Sequence, residues 1–397
     1  MAKLSIEDIK GDLKGKKVLM RVDFNVPLDE NRNITSDKRI KAALPSIKMV
    51  MENGGKLILM SHMGRPKGQK KPEFSLDVVA KKLGEFLEKE VKFAPDCVGP
   101  EAEKVTGLLA DGEAALLENL RFYKEETDND PEFAKKLAAH GEIYVNDAFG
   151  TAHRAHASVE GVTKYFDKCA AGLLMDKELK YIGETMENAE KPFVAILGGA
   201  KVSDKIGVIQ NMLDKVSEII IGGGMAYTFL KAKGRDIGNS ICEDDKIPMA
   251  KEILKAAIDK DVYIFLPIDH VVAKEFKADS ESKEVLRDGI EDGWQGLDIG
   301  PMTVKKFRNV IKDAKTIIWN GPMGVFEFDK FANGTLEIGR AIAESGAKSI
   351  VGGGDSVAAL KKMGLTDKMT HVSTGGGASL ALMEGKELPG VAALSDK

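Results

Sequence analysis

Residues 16–27 read KKVLMRVDFNVP, and the chain repeats the organisation of this stretch many times. The segment 17–22 is a run of mostly apolar residues, several of them β-branched, which is typical of a strand buried in a sheet. Asp23 and Asn25 then follow where the strand should end, and Pro27 closes the stretch. A buried strand that ends in a carboxylate and an amide indicates a ligand site, because open parallel sheets bind ligands beyond the carboxyl ends of their strands.

Short apolar runs alternate with amphipathic helical runs along the whole chain. The strand-like runs are KLILMS, VKFA, AALLE and EIYVND in the first half, and PFVAIL, EIIIGG, DVYIFLP, KTIIWNG, KSIVGGG and MTHVST in the second. Runs such as RIKAALPSIKMVMEN and SDKIGVIQNMLDKV have helical spacing. This alternation predicts parallel sheets covered by helices on both faces. We therefore expect an α/β fold of two doubly wound, Rossmann-like domains.

Composition restricts the classes of function. The chain has 397 residues, enough for two or three domains, and its net charge of −4 argues against a nucleic-acid or membrane-surface binder that acts through bulk charge. Three widely spaced cysteines, Cys97, Cys169 and Cys242, match no zinc-site spacing and favour a reducing compartment. No stretch approaches the ~20 apolar residues of a membrane span. We expect a cytoplasmic protein.

Arginines and histidines follow the strand-like runs of the first half. Guanidinium groups bind carboxylate or phosphate through paired hydrogen bonds, so this group favours a small anion. Asp23 cannot bind an anion directly, but it could accept a hydrogen bond from a hydroxyl of the same ligand. The pattern predicts a small phosphorylated hydroxy acid, although Asp23 and Asn25 alone also fit an Asx turn, and a lone Arg or His also fits a solvated charge or a structural hydrogen bond. The residues are Arg39, His62, Gly64, Arg65, Asn119, Arg121, His153, Arg154 and His156.

The second half has glycine-rich sequences after its strands, namely LGGAKVSDK, IIGGGMAY, IVGGGDS and STGGGAS. Glycines let the backbone approach a ligand closely, and helix N-termini offer free N–H groups to phosphates. Any one of them also fits simple turn chemistry at the corner of a sheet. Four together favour a nucleotide phosphate site, although neither GxxxxGK[ST] nor GxGxxG is present.

A few charged residues accompany these glycines. Lys201 and Lys205 are four apart, so they share a helix face if the helix has begun there, and otherwise form an exposed pair. Asp355 could hold Mg²⁺ or cap a helix. Glu327 could accept hydrogen bonds from a ribose or simply face solvent.

With these motifs assembled, the sequence resembles the phosphoglycerate kinase family from end to end. The motifs that carry the resemblance are RVDFNVP, SHMGRP, GTAHRAH, LGGAKVSDK, IIGGGMAYTFLK, GLDIGP, WNGPMGVFE, GGGDS and HVSTGGGAS, in the order of that family. Agreement of this many long motifs by chance is negligible.

The resemblance implies two domains joined by a hinge helix. We expect a 3-phosphoglycerate-binding domain at 1–172, a connector at 173–190 and a nucleotide-binding domain at 191–383, with the tail 384–397 packed back on the first domain. By matching position, the substrate-binding residues are Asp23, Phe24, Asn25, Arg39, His62, Met63, Gly64, Arg65, Arg121 and Arg154. The nucleotide-binding residues are Lys201, Lys205, Gly222, Gly223, Gly296, Asn320, Glu327, Gly353, Gly354, Asp355 and Ser356, and Asp355 is expected to hold Mg²⁺.

The implied reaction is a glycolytic one: Mg-dependent, reversible phosphoryl transfer from 1,3-bisphosphoglycerate to ADP. The attacking carboxylate of the reverse reaction is already ionised, so no general base is needed. Direct in-line transfer after hinge closure would depend on positioning and charge stabilisation. Arg39, Lys201 and Lys205 are expected to supply the charge, with Gly375 and Gly376 supporting the transferring group.

The expected partners are small molecules, 3-phosphoglycerate or 1,3-bisphosphoglycerate with ADP or ATP. We expect a monomer that binds neither nucleic acid nor membrane. Two alternative functions belong to other classes of protein. An NAD-dependent oxidoreductase would carry GxGxxG with an acidic residue ~20 positions later. A non-catalytic phosphosugar-binding protein would need only the cationic residues of the first half.

Overall fold

The structure, a computed structural model, describes residues 2–286 and 289–397. The chain divides into two compact units. The first runs to Leu179 and includes Glu387–Lys397, and the second is Lys180–Lys386. Each unit contains a parallel sheet with helices packed against it. Within the described ranges, no helix is both long enough and apolar enough to cross a membrane.

The first unit is built on a parallel sheet. Its strands are β1 Lys17–Arg21, β2 Lys56–Met60, β3 Val91–Phe93, β4 Ala114–Leu116, β5 Ile143–Asn146 and β6 Cys169–Ala171. Its principal helices are α1 Lys38–Glu52, α2 Asp77–Leu87, α3 Pro100–Gly107, α4 Lys124–Thr127, α5 Pro131–Ala138 and α6 Leu173–Glu178. The strand order is β3-β4-β2-β1-β5-β6.

The quoted stretch lies at the centre of this sheet. In β1, Leu19 stands opposite Ile58 of β2 and Tyr144 of β5, and all three side chains are fully buried. A strand covered on both faces must be apolar on both faces, which explains the unbroken apolar run VLM at 18–20. Because β4, β2, β1 and β5 are neighbours and parallel, the residues that follow them all emerge at one edge.

The chain leaves the first unit through a helical segment. Helix α6 continues into a π-helical turn at Leu179–Gly183 and then into α7 Glu184–Asn188. The C-terminal residues, which include the short helix α15 Pro389–Ala392, belong to the first unit. There the Leu4 N–H donates to the Ser395 carbonyl at 2.8 Å, and the Gly390 N–H donates to the Ala152 carbonyl at 2.9 Å.

The second unit contains two sheets. Its strands are β7 Phe193–Leu197, β8 Glu218–Ile221, β9 Tyr263–Phe265, β10 Asp269–Ala273, β11 Ser282–Leu286, β12 Gln295–Ile299, β13 Thr316–Asn320, β14 Lys348–Gly352 and β15 His371–Val372. Its other helices are α8 Ile206–Met212, α9 Met225–Ala232, α10 Ile247–Asp259, α11 Pro301–Asp313, α12 Asn333–Glu344, α13 Gly354–Met363 and α14 Gly377–Met383. The parallel sheet has the order β15-β14-β13-β7-β8-β9, and the antiparallel sheet has the order β11-β10-β12.

The predicted fold class is confirmed, with three differences in detail. The antiparallel sheet was not predicted: one of its strands, β11 (SKEVL), is largely polar and partly exposed, so it gives no apolar run. Strand β6 was also missed, since CAA is too short to give a periodic signal. Helix α8 is shorter than the run SDKIGVIQNMLDKV indicated, because it begins only at Ile206.

Candidate functional site

The predicted anion-binding residues of the first unit lie at the carboxyl edge of its sheet. Asp23 and Asn25 follow β1, His62 to Arg65 follow β2, Arg121 follows β4 and Arg154 follows β5. Arg39 lies in the first turn of α1. The sheet order brings the ends of these four strands side by side. We refer to this group as the cationic edge: Asp23, Asn25, Arg39, His62, Gly64, Arg65, Arg121 and Arg154.

Asp23 and Arg39 are paired within the cationic edge. The Nη1 atom of Arg39 lies 2.8 and 2.9 Å from the two carboxylate oxygens of Asp23. Asp23 also accepts the Asn25 N–H at 3.2 Å, and the Asn25 side-chain oxygen accepts the Gly64 N–H at 2.8 Å. The Asx turn is therefore present, and the Asp23 carboxylate that forms it also accepts from the Arg39 guanidinium.

His62 is buried and its neutral tautomer can be assigned. Its Nδ1 lies 3.0 Å from Nη2 of Arg21, and a guanidinium only donates, so Nδ1 accepts and the ring proton resides on Nε2. Burial lowers the pKa of His62 well below its ordinary value, and the positive charges of Arg21, Arg121, Arg39 and Arg154 lower it further. The imidazole is therefore a neutral N–H donor at neutral pH.

Arg21 was not predicted as a site residue. It is fully buried, donates from Nε to the Ser158 hydroxyl at 2.9 Å, and also donates to the Val22 carbonyl and to His62. Ser158 in turn donates to buried Glu126 at 2.6 Å. An arginine inside an apolar strand run was a signal available in the sequence, because such a charge is rarely buried without partners.

Arg121 is fixed by the loops around it. Its Nη1 donates to the Gly64 carbonyl at 2.9 Å, while its Nε is buried without a hydrogen-bond partner among the described residues. Burial, together with the charges of Arg21 and Arg154, lowers the pKa of Arg121 to about 10, so it remains cationic at neutral pH. Gly64 has φ +61°, and a Cβ there would lie 2.4 Å from the Phe74 ring, so only glycine fits.

A cavity of about 440 Å³ opens at the cationic edge. Its lining includes Arg65, Arg121 and Arg154 together with two cations that were not predicted, Lys67 and Lys124. No single motif marks these lysines, because Lys67 lies in the loop after β2 and Lys124 begins α4. The positive charge around the cavity favours an anionic ligand.

Phe24 and Met63 contribute backbone rather than side chains. Both side chains are in the core. The Phe24 N–H donates to the Ser61 hydroxyl at 2.9 Å, and the Met63 N–H donates to the Asn119 side-chain oxygen at 3.1 Å. These bonds hold the loops of the cationic edge in place.

The glycine-rich sequences of the second unit follow β7, β8, β14 and β15 at the carboxyl edge of its parallel sheet. The glycines in these sequences allow neighbouring segments of the chain to pack closely. A Cβ on Gly222 would lie 2.4 Å from the Met323 sulfur, and one on Gly223, which has φ +66°, would lie 2.7 Å from the Gly199 N. A Cβ on Gly296 would lie 1.8 Å from the Tyr227 hydroxyl.

Three of the glycine amides at this edge are bonded within the protein. The Gly222 N–H donates to the Leu197 carbonyl, and the Gly223 N–H donates to the Met323 carbonyl. The Gly375 N–H donates to the Ser373 hydroxyl at 3.1 Å. These glycines therefore shape the edge, and donors for a ligand must come from other groups.

Lys201 and Lys205 differ in environment. Helix α8 begins at Ile206, so the condition for a shared helix face is not met. Lys201 is exposed, whereas Lys205 is half-buried and donates from Nζ to the side-chain oxygen of buried Asn320. Burial lowers the pKa of Lys205, and the negative charges of Asp204, Asp355 and Glu384 oppose the shift.

A second cavity, of about 370 Å³, opens in this unit. Its wall includes Gly223, Gly296, Tyr227, Glu327 and Asp355. The wall is mostly backbone and apolar side chains, with two carboxylates at exposed positions. We call it the glycine-lined pocket: Gly199, Ala200, Gly223, Gly224, Tyr227, Ile241, Phe276, Gln295, Gly296, Leu297, Pro322, Met323, Gly324, Val325, Glu327 and Asp355.

The remaining predicted residues lie at the start of α13. Gly353 has φ +87° and precedes the helix, whose first turn contains Gly354, Asp355 and Ser356. Asp355 is therefore not the N-cap residue. The Ser356 hydroxyl is fully buried and accepts the Gly321 N–H at 2.7 Å, so it braces the neighbouring loop.

Comparison with known proteins shows the family. The family model described as Phosphoglycerate kinase matches residues 6–386. The chain belongs to the phosphoglycerate kinase family. It is 56% identical to a phosphoglycerate kinase of Chlorobaculum tepidum, with 100% of both chains covered, and 58% identical to one of Clostridium botulinum, with 100% of this chain and 99% of the relative covered.

Solved phosphoglycerate kinase structures resemble it as well. The structure from Coxiella burnetii has a TM-score of 0.91 at 42% identity, and that from Pyrococcus horikoshii a TM-score of 0.83 at 36% identity. Both cover 98% of this chain and are themselves covered to 98%. The family assignment and the fold class predicted from the sequence are confirmed.

Proposed function

We propose that this member of the phosphoglycerate kinase family transfers a phosphoryl group reversibly between the acyl phosphate of 1,3-bisphosphoglycerate and ADP. The products are 3-phosphoglycerate and ATP. The observation that carries the proposal is a pair of complementary sites: a cationic edge in one unit and a glycine-lined pocket in the other. The family membership agrees with this reaction.

The cationic edge would bind 3-phosphoglycerate. Arg65, Arg121 and Arg154 line its cavity and suit the phosphate group, since a guanidinium pairs well with a phosphate. The Asp23 carboxylate suits the substrate hydroxyl, and the His62 Nε2–H suits a carboxylate oxygen. Phe24, Asn25, Met63 and Gly64 would hold the loops that carry these groups.

The glycine-lined pocket would bind ADP or ATP. Gly223 and Gly296 line this pocket, and Gly222, Gly223 and Gly296 let the segments that form it pack closely, because a Cβ at any of them would collide with neighbouring residues. Glu327 would accept hydrogen bonds from the ribose. Lys201 and Lys205 would approach the phosphates, with Asn320 orienting Lys205. Gly353, Gly354 and Ser356 would present the first turn of α13.

Asp355 fits a role in holding Mg²⁺. Its carboxylate is exposed, lies in the first turn of α13 and lines the glycine-lined pocket. The described residues contain no group of three or more metal-binding side chains, but Mg²⁺ bound with a nucleotide needs only one or two carboxylates beside the phosphates. Bound there, Mg²⁺ would neutralise charge on the phosphate oxygens.

Positioning and charge would account for catalysis, because the substrate carboxylate is already ionised and needs no base. Arg39 keeps its remaining guanidinium N–H groups available while Nη1 pairs with Asp23. Arg39, Lys201 and Lys205 would stabilise charge on the transferring phosphoryl group. Gly376 would offer its amide to the same group, and Gly375 would support that loop through Ser373.

The two ligands are assigned to different units, so in-line transfer would require hinge closure through the helical connector. Closure would exclude water from the acyl phosphate. We extend the proposal to a cytoplasmic monomer whose first unit takes the acid and whose second unit takes the nucleotide.

A coupled assay tests the proposal. The chain is incubated with ATP, Mg²⁺, 3-phosphoglycerate, glyceraldehyde-phosphate dehydrogenase and NADH, and NADH consumption is followed. Consumption that depends on the chain, on ATP and on 3-phosphoglycerate is expected. Binding of 3-phosphoglycerate without any turnover would instead indicate a phosphosugar-binding protein.

A further inference from the structure

Asp298, on β12, is a buried carboxylate that the proposed mechanism does not use. It is 2% exposed and makes no ion pair among the described residues. One oxygen, Oδ2, accepts the Gly334 N–H at 2.7 Å, and the other, Oδ1, accepts the Ile299 N–H at 2.9 Å. Burying a carboxylate without a cationic partner is costly, so this group needs a structural or functional reason.

Two glycines make room for this carboxylate. A Cβ on Gly324 would lie 2.2 Å from Oδ1 of Asp298, and a Cβ on Gly334 would lie 2.3 Å from the same atom. Gly324 is in the wall of the glycine-lined pocket, and Gly334 is in the first turn of α12. The carboxylate therefore packs against the pocket wall and the helix start together.

Thr335, in the first turn of α12, contacts the wall of the glycine-lined pocket. This fully buried residue accepts the Met323 N–H at 3.0 Å and the Gly324 N–H at 3.3 Å on its hydroxyl. The next residue of the wall, Val325, donates its N–H to the Leu297 carbonyl beside Asp298 at 2.8 Å. The wall segment 322–325 is thus held by β12 on one side and by α12 on the other.

We propose that Asp298 is a positioning residue for the nucleotide: its ionised carboxylate fixes the start of α12 and so sets the pocket wall at residues 322–325. The inference rests on the nucleotide role proposed above for the glycine-lined pocket. Each carboxylate oxygen accepts one N–H, and a proton added to either oxygen would remove the negative charge that strengthens both hydrogen bonds. Protonation should therefore loosen the wall.

The surroundings of Asp298 make its ionisation relevant near neutral pH. Burial raises its pKa to about 7, and the Gly334 and Ile299 amides lower it less than burial raises it. No charged side chain contributes to this shift. Among the titratable groups on the adjoining elements, Tyr227 and Lys231 lie on α9, Asp269 and His270 on β10, and Glu337, Arg340 and Glu344 on α12. Lys231 pairs with Asp244, and the charged residues of α12 pair with one another or with Arg308. Burial raises the pKa of Tyr227 and lowers that of His270 to about 4, so both are neutral at pH 7.

The test compares ADP affinity with 3-phosphoglycerate affinity. Asp298→Asn replaces one acceptor by an NH₂ group that faces an N–H donor. We expect ADP to bind roughly three- to tenfold more weakly, the effect of one lost hydrogen bond, with 3-phosphoglycerate affinity within twofold of wild type.

Titration calorimetry from pH 6 to 8.5 tests the role of ionisation. ADP binding by wild type should weaken further below about pH 7, and ADP binding by the variant should not. The titration of ADP itself cancels in that difference.

Two further variants separate positioning from general stability. Asp269→Asn removes a buried carboxylate that accepts the Met302 and Thr303 N–H groups of α11, none of which line the pocket. It should lower the melting temperature without changing ADP affinity. Thr335→Val leaves Asp298 intact and should still weaken ADP binding, which decides the matter if Asp298→Asn does not fold.

Unchanged ADP affinity in Asp298→Asn, or in Thr335→Val where the former does not fold, overturns the inference. So does a pH dependence that is identical in wild type and Asp298→Asn. If wild type itself binds no ADP, the proposed function fails, which is a different result from a variant that matches a binding wild type.

Discussion

The cationic edge and the glycine-lined pocket occupy equivalent places on two parallel sheets but are built differently. The first uses polar and charged side chains held in place by hydrogen bonds, such as buried Arg121 and the His62 ring bonded to Arg21. The second uses backbone, with glycines where a Cβ would collide with its surroundings. A small, highly charged acid requires matched charges, whereas a flat nucleotide base requires space. A substitution at one site should therefore weaken binding of the ligand proposed for that site and leave binding of the other ligand unchanged.

The largest effect is expected from Arg39 in the cationic edge. Arg39→Ala should keep most 3-phosphoglycerate affinity, since three other arginines remain, but lose roughly 10³-fold in turnover, as cationic contacts do in other phosphoryl-transfer enzymes. The coupled assay and a 3-phosphoglycerate titration measure the two quantities separately.

Arg32→Ala is the matched control, because Arg32 forms a surface pair with Asp77 in the same unit. It should leave turnover unchanged. Near-normal turnover in Arg39→Ala would remove Arg39 from the mechanism.

A smaller effect is expected from a substitution in the glycine-lined pocket. Gly296→Ala places a methyl group against the Tyr227 side chain, a kind of overpacking that costs ~1–3 kcal/mol of folding stability. Because both residues line the pocket, relief of this clash should displace the pocket wall and lower ADP affinity roughly tenfold. Affinity for 3-phosphoglycerate should not change. Calorimetric titration with each ligand measures both.

Gly11→Ala is the control, since an added Cβ there meets nothing within 4 Å. Combining Gly296→Ala with Tyr227→Ala should recover part of the ADP affinity by removing the ring. A double variant no better than Gly296→Ala would contradict the steric explanation.

Lys205 tests whether the glycine-lined pocket also depends on charge. Lys205→Gln keeps a donor near Asn320 but loses the charge, so ADP affinity should fall roughly tenfold, the order of one charge-assisted hydrogen bond, and turnover should fall with it. Lys215→Gln is the control: neither lysine lines the pocket, but Lys215 lies beyond the far end of α8, whereas Lys205 precedes its start and bonds Asn320. Unchanged ADP affinity would argue that backbone alone holds the phosphates.

The smallest effect concerns pH and the cationic edge. His62 has a folded-state pKa well below 6.5, so as pH falls below 6.5 the unfolded chain gains a proton that the folded chain does not. The free energy of unfolding should then decrease by up to about 1.4 kcal/mol per pH unit for this histidine, and the loss continues down to its folded-state pKa.

Urea denaturation at pH 7.5, 6.5 and 5.5 measures this dependence. His62→Gln should lower the slope below pH 6.5 by that amount. His140→Gln, which alters another buried histidine outside the cationic edge, should leave the part due to His62 in place. The same slope in His62→Gln and wild type would show that His62 is protonated in the folded state.

The sequence predicted the structure well where a type of residue has a single structural role. Near-continuous apolar runs predicted the parallel sheets, and polar residues after them predicted the carboxyl edges. The sequence predicted the structure less well where the same residue fits several structural roles. The spacing of Lys201 and Lys205 allowed a shared helix face that the late start of α8 removes. The glycine-rich sequences favoured a phosphate site, but the structure shows that several of their amides are bonded inside the protein.

By itself, the sequence determined the fold class, the family and the kinds of chemical group at each sheet edge, because apolar periodicity and long motifs are local properties of the chain. Only the tertiary structure decided which groups meet. Arg21 assigns the His62 tautomer, Asn320 receives Lys205, and Asp298 lies against Gly324 and Gly334. These contacts join residues 26–115 positions apart, and such separations carry no periodic signal that a single sequence reveals.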